Sequence, residues 1–365
     1  MVGFGLLSIA PGAALAQAPP APLRVAVVGL VHVRVDGLLA ALPQRKDVQL
    51  VGIAEPNAAL AAKYAAKYNL PKKLFYPGLE ALIAAQHPEA VLVYTSVAEH
   101  RAAIETAANY GISALVEKPL TLSLADALAI RKAAREHRVQ VLVDYETTWQ
   151  PSNRAAYNEV ESGRLGAIRR VVFQDGYQGP DGIGAGPEYL SLAADPAKSG
   201  AGALYDLGCY GADLMTWLMH GEAPLTVTAV VNRDKPELYR GVDDDATIVL
   251  AYPRAQAVIQ ASWNWPFPHK DMEIYGTSGY AVTSGPDWLR MRHEHDKIER
   301  VSTAPQLNPP EDDSLSYLED ALSGAIDPKG SLSALDTNIV VMQILDAARE
   351  SARTGQSVKL TKLEE

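Results

Sequence analysis

The chain has very little cysteine: a single residue, Cys209, among 365. No internal disulfide can form, so the fold must rest on burial alone. There is no Lys/Arg-rich run, and the formal net charge is -10. Nucleic-acid binding, which needs a basic face to neutralise phosphates, is therefore excluded. No apolar run is long enough to span a bilayer. Internal repeats and low-complexity tracts are missing as well, which excludes solenoids and disordered chains. The glycine pattern G-x-G-x-x-G is also incomplete. Gly29-Leu30-Val31-His32-Val33-Arg34 keeps its first glycine but has Val31 and Arg34 at the other two positions.

What remains is the composition of a globular protein, 48% hydrophobic and 21% charged. Its length favours two domains of roughly 150 residues each. Residues 2–18 are uncharged and rich in Ala, Leu and Gly, and two Ala-x-Ala sites precede the proline-rich stretch 19–22. This reads as a secretory leader lacking its basic end, with a periplasmic or secreted product expected and a cytoplasmic tail as the alternative.

From residue 23 the pattern alternates. Buried-strand runs at 24–30, 48–54, 90–94, 112–116 and 139–143 are separated by helical periodicity at 34–42, 57–68, 78–86, 98–110 and 123–137. Asn57 is placed to cap its helix. Such βα alternation predicts a doubly wound parallel sheet, a Rossmann domain over 23–145. Beyond residue 145 a helix at 152–162 and a strand at 167–174 lead into a Gly/Pro-rich loop at 175–187. A helix is expected at 206–219. Six short strands follow, at 225–232, 246–252, 255–263, 272–275, 280–283 and 288–293, and helices at 314–322 and 333–353 close the chain. Consecutive strands with tight links predict an α+β domain over 146–365 built on an open, mostly antiparallel sheet. One face of that sheet needs a cover, so a homo-oligomer is expected.

Glu117-Lys118-Pro119 ends a strand, and a residue there points into the crevice where such sheets bind ligands. Its downstream counterpart is Asp206-Leu207-Gly208-Cys209-Tyr210, introduced by the glycine-rich stretch 199–204. If Asp206 begins its helix, Asp206 and Tyr210 share a face, being four apart. A tyrosine is a poor base at neutral pH unless a cation favours the phenolate. Lys118 can supply that charge, and Asp206 can orient it. Taken singly, Tyr210 reads as a core-edge aromatic and Asp206 as a helix cap.

Glu55 ends the second strand, 26 residues after Gly29. A carboxylate there accepts from ribose hydroxyls and repels a 2′-phosphate, favouring NAD over NADP; its alternative is a helix-start carboxylate. Thr95, Ser96 and His100 follow the strand at 90–94 and are candidates beside the nicotinamide, with a helix-start role open for His100. Arg34 is either a phosphate contact or a surface residue. Tyr145, Glu146 and Trp149 stand at the domain junction, where a substrate would sit. Trp263 and Trp265 can stack on a sugar ring or pack the sheet. Cys209 reads as a small buried side chain rather than a reactive thiol. Asp243-Asp244-Asp245 reads as a solvated strand start rather than a cation site, and His293-Glu294-His295-Asp296 as an exposed alternating strand rather than a metal cluster.

With these residues placed, the sequence from 23 to 360 resembles the Gfo/Idh/MocA oxidoreductases, carried by 95–100, Glu117-Lys118-Pro119 and 200–213. The resemblance implies NAD or NADP as cofactor and a sugar, cyclitol or related alcohol as substrate. It implies Gly29, Val31, His32, Glu55, Thr95, Ser96, His100, Glu117 and Lys118 as cofactor contacts. It also implies Lys118, Asp206 and Tyr210 as the catalytic set, Tyr210 standing where many members have histidine. Tyr145 and Trp149, with Lys118 and Tyr210, are the expected substrate contacts. The alternative activity is a redox-neutral, NAD-dependent glycoside hydrolase or lyase passing through a keto-sugar.

Overall fold

A computed structural model of the chain describes residues 21–363. The leader expectation on residues 2–18 lies outside the described residues. Among the described residues, no helix is long and apolar enough to cross a membrane.

The first sheet holds β1 (Leu23–Val28), β2 (Val48–Ala54), β3 (Phe75–Tyr76), β4 (Ala90–Val93), β5 (Ser113–Glu117) and β6 (Val141–Asp144), all parallel, in the order β3-β2-β1-β4-β5-β6. The crossovers are α1 (Val35–Ala41), α2 (Ala58–Lys67), α3 (Leu79–Gln86), α4 (Val97–Asn109) and α5 (Leu124–His137). β4 to β6 are buried along their whole length, as strands covered on both faces must be, and this is why they read as mostly apolar runs rather than as alternating ones. Asn57 caps α2 as expected, its carboxamide accepting from the amides of Ala59 and Leu60. Ser96 and Glu99 form a capping box on α4. Strand order reverses between β1 and β4. Gly29, Thr95 and Lys118 follow β1, β4 and β5, so all three reach the switch point where ligands bind in such sheets.

The chain then forms α6 (Pro151–Glu161), β7 (Ile168–Gly176), α7 (Pro187–Ala193), α8 (Pro196–Ser199), α9 (Ala203–Asp206) and α10 (Gly208–Leu218). The second sheet is completed by β8 (Thr226–Asn232), β9 (Asp245–Ala251), β10 (Gln256–Ser262), β11 (His269–Gly276), β12 (Gly279–Ser284), β13 (Trp288–His293) and β14 (Arg300–Thr303). After α11 (Ser314–Ser323) and α12 (Leu335–Thr354), the short β15 (Val358–Lys359) joins its far edge. The order is β14-β13-β12-β11-β7-β10-β9-β8-β15, and only β7 and β10 run parallel. The inner face buries Val171, Phe173, Ile248, Ile259 and Ile274 in one core with α10 and α12. On the other face, Val230, Val249 and Tyr275 are exposed.

Two features depart from the sequence expectation. The helix expected at 206–219 is broken at Leu207. In a continuous helix the Asp206 carbonyl would accept from the Tyr210 amide; here it accepts from Lys118, and the Tyr210 amide turns to Leu207 O at 3.1 Å. Second, α11 packs on the first sheet: Leu315, Tyr317, Leu318 and Ala321 share a core with Leu23, Val25, Leu39 and Leu42. Ser333 and Ala334 likewise pair with the outer strand β6, the Ser333 carbonyl accepting from the Val143 amide at 3.0 Å.

Candidate active site

Lys118 and Asp206 meet across the two domains. Lys118 Nζ donates to Asp206 Oδ1 at 2.5 Å and to the Asp206 carbonyl at 2.7 Å. The other carboxylate oxygen accepts from Trp263 Nε1 at 2.8 Å and Tyr177 OH at 3.2 Å. Lys118 Nζ also lies 4.9 Å from the centre of the Tyr210 ring. The three residues singled out in sequence therefore converge, though Asp206 and Tyr210 belong to two successive helices rather than one.

These groups line a cleft of about 340 Å³, with His32, Arg34, Glu146, Tyr177, Tyr189 and Lys270. Lys270 was not found in the sequence. Its Nζ lies 4.8 Å from the Tyr210 ring centre and donates to Glu146 Oε2 at 2.6 Å. Arg34 pairs with Glu117 at 3.3 Å and lies 4.0 Å from Glu146, so it is neither a free surface residue nor aimed at solvent.

The electrostatics follow from burial and pairing. Burial opposes the Lys118 ammonium, but Asp206, with Tyr210, Cys209 and Tyr189 behind it, outweighs burial and holds its pKa well above the usual lysine value. Burial likewise pushes the Asp206 carboxyl up, and Lys118 more than offsets this, leaving it below its ordinary range. Burial raises the Tyr210 phenol, against the pull of Lys118, Lys270 and Arg34. His32 is brought down to about 3 by burial and then by Lys118 and Arg34, so it is neutral.

The dinucleotide residues also gather. Gly29 has φ +81°, and a Cβ there would lie 2.6 Å from Thr95 Cγ2 and 2.9 Å from the Thr95 backbone. Only glycine lets the two strand ends approach this closely. Val31 lines a groove of about 240 Å³ with Leu30, Val33, Lys63 and Tyr189. Glu55 accepts from the amides of Leu30 at 2.9 Å and Asn57 at 2.8 Å. Its role at the helix start is thus real, and a carboxylate has further lone pairs for ribose hydroxyls. Thr95 lines a narrow cavity with His32, Lys118 and Trp263. The residues present fit an NAD: Glu55 could meet the ribose, Gly29 and Val31 the turn, and Thr95 and Lys118 the reacting end.

Other expectations land elsewhere. Ser96 is occupied with its own helix cap. His100 is buried, its Nδ1 lying 3.2 Å from the carbonyls of both Pro119 and Leu120, so it braces the turn after Lys118. Glu117 is buried against Arg34 rather than open to a ligand. Tyr145 is fully buried behind the cleft, edge-on to Tyr210 at 5.7 Å. Trp149 turns away: its indole donates to Asp144 at 2.7 Å and packs on Tyr317. Trp265 sits on Gly176, where any Cβ would collide with its ring. Cys209 is buried, and burial pushes its thiol up. His293 is engaged by Glu159 at 2.9 Å and Asp296 at 3.2 Å.

The acidic run is not solvated as expected. Asp243 and Asp244 are buried because each satisfies loop amides. Asp243 accepts from Gly202 at 3.2 Å and Leu204 at 2.8 Å, and Asp244 from Asp234 and Lys235. Asp243 thereby fixes the turn that delivers Asp206. Burial first, against those bonds, lifts its pKa to about 6.

Chemically, an alcohol oxygen between Lys118 and Tyr210 would find a donor and a proton acceptor together. Comparison with known proteins bears on the family of the chain. Residues 23–145 match the oxidoreductase family with an NAD-binding Rossmann fold, and residues 153–282 match the GFO/IDH/MocA C-terminal domain. The chain is 27% identical over 278 residues to trans-1,2-dihydrobenzene-1,2-diol dehydrogenase of Macaca fuscata fuscata, covering 73% of this chain and 77% of that one. It is 26% identical over 302 residues to D-apiose dehydrogenase of Rhizobium rhizogenes, covering 78% and 83%. Its fold is that of an inositol dehydrogenase homolog from Azotobacter vinelandii, solved with NAD+, with a TM-score of 0.79 at 19% identity over 93% and 97% of the two chains. The chain belongs to the GFO/IDH/MocA family of oxidoreductases and carries that family's NAD-binding Rossmann domain.

Proposed function

We propose that this oxidoreductase moves a hydride between the carbinol carbon of a sugar, cyclitol or related diol and the nicotinamide of NAD, with Tyr210 handling the proton. The single observation that carries the reading is the convergence of Lys118, Asp206 and Tyr210 from two domains on one cleft. NAD, when bound, accepts or returns the hydride. Asp206 holds the Lys118 ammonium with two of its three N–H groups, and the remaining one is a donor for the substrate oxygen. That ammonium favours the Tyr210 phenolate, which takes the hydroxyl proton as the C–H bond breaks and the carbonyl forms; in reduction Tyr210 returns it. Related proteins are named for a dihydrodiol, for apiose and for inositol, which supports a small polyhydroxylated substrate.

The test is to incubate the protein with NAD and D-glucose, D-xylose or myo-inositol and to follow NADH. Oxidation is expected with at least one, and Tyr210→Phe is expected to lower kcat by roughly 10²–10⁴-fold with the fold intact. Full activity in Tyr210→Phe would refute the assignment. Cleavage of an aryl glycoside with no net NADH would assign the redox-neutral reaction instead.

The exposed face of the second sheet supports a homo-oligomer, with Val258 central between Val172 and Val249. Light scattering is expected to give a multiple of the chain mass, reduced to the monomer in Val258→Lys. A monomeric wild type would end that reading. Export of the protein is part of the same proposal and is tested by its fractionation with the periplasm.

A further inference from the structure

The proposed proton transfer uses one ammonium, yet the cleft holds another at the same range. Lys270 projects from β11, and its Nζ is as near the Tyr210 ring as that of Lys118, 4.8 against 4.9 Å. It is kept there by Glu146, which follows β6 and whose carboxylate accepts a hydrogen bond from the ammonium at 2.6 Å. Glu146 also faces Arg34. Beside Lys270 in the sheet register is Asp175 of β7, buried, with one carboxyl oxygen lacking a hydrogen-bond partner among the described residues.

The charged and titratable groups around Tyr210 are thus Lys118 after β5, His32 and Arg34 before α1, Glu146 and Tyr145 after β6, Asp175 on β7, Tyr177 just after it, Tyr189 on α7 and Lys270 on β11. Asp206, Cys209 and Asp213 lie on its own segment.

We propose that Lys270, held by Glu146, is a positioning residue for this reaction: together with Lys118 it supplies the positive field in which Tyr210 gives up and takes back its proton. The inference rests on the reading of Tyr210 as the acid/base. Burial opposes the phenolate, Lys118 and Lys270 are the strongest cations opposing burial, and Glu146 works against them. Lys270 acts through Tyr210, and Glu146 sets both its place and its strength.

Three variants separate this from a packing role. Removing a cation within about 4–6 Å disfavours the phenolate by one or more pH units. Alcohol oxidation needs the phenolate, so its kcat/KM rises with pH through the Tyr210 titration. Lys270→Met is expected to move that rise upward by about one pH unit, Lys270→Arg to restore it, and Glu146→Gln to move it downward. Ring-carbon NMR of tyrosine-labelled protein, with Tyr210→Phe to assign the signal, reads the same titration without any substrate. An unmoved titration in Lys270→Met, or an upward move in Glu146→Gln, overturns the proposal. If Tyr210→Phe turns over normally, the acid/base reading fails first. If that variant is inactive while the Lys270→Met titration stays in place, only the role of Lys270 fails.

Discussion

Lys118 gives two of its N–H groups to one residue, Asp206, bonding both its carboxylate and its main-chain carbonyl. The second bond replaces the one a continuous helix would take from the Tyr210 amide, so the Lys118–Asp206 pairing and the local backbone shape have one cause. Asp206→Asn removes the charge but leaves the carbonyl. Stability at pH 7 is expected to fall by no more than the ~3–5 kcal/mol typical of breaking a buried ion pair. The sign with pH follows from the Asp206 carboxyl being held below its ordinary range. Its stabilisation is present above the unfolded-state value and is lost as pH falls through the folded one. Urea midpoints of the two proteins are therefore expected to differ at neutral pH and converge in acid.

Glu55 holds the amides of Leu30 and Asn57, and under the proposed function its carboxylate also meets the adenosine ribose. Glu55→Ala is expected to weaken NAD binding by about tenfold, the worth of a hydrogen bond to a charged group. Discrimination against NADP should shrink with it. Calorimetric titration with each dinucleotide checks both, and an unchanged NAD affinity would place the ribose elsewhere.

Gly202 stands where a Cβ would fall 1.6 Å from the Asp243 carbonyl oxygen, which is backbone and cannot swing aside. Gly202→Ala must therefore displace the turn that Asp243 clamps and, with it, Asp206. Loss of turnover accompanied by a lower melting temperature is expected. A variant with normal kcat would show that the turn has slack.

Asp213 lies fully buried on α10 with neither carboxyl oxygen hydrogen-bonded among the described residues, and burial pushes its pKa well above the ordinary value. A raised carboxyl favours the folded state in acid, and that advantage is lost as pH rises from the usual carboxylate range. Asp213→Asn removes this dependence. The variant is expected to gain on the wild type as pH rises from 4 to 8 in a melting series, and a constant difference would contradict the sign.

Much of this was legible in the chain. The apolar strand runs, the Asn57 cap, and the pairing of Lys118 with Asp206 and Tyr210 all leave local signals, because each depends on neighbours in sequence or on a fixed motif. Lys270 leaves none: it reaches Tyr210 only through the register of β11 beside β7. The aspartates at 243 and 244 mislead for the opposite reason. A charge run reads as solvated, yet these side chains are buried because loop amides from Gly202 and Asp234 need acceptors. The break at Leu207 was hidden because helical periodicity continues across it, and only a partner from the other domain takes the carbonyl away.

The packing of α11 on the first sheet has a consequence for how such chains are cut and recombined. A fragment ending at residue 145 would leave Leu23, Val25, Leu39 and Leu42 without the side chains of Leu315 and Leu318 that cover them. Chimeras that exchange the amino-terminal half between relatives must carry residues 314–323 along with it, or leave a greasy seam that invites aggregation. The two lobes cannot be parted cleanly, because a helix late in the chain is part of the wall of the first.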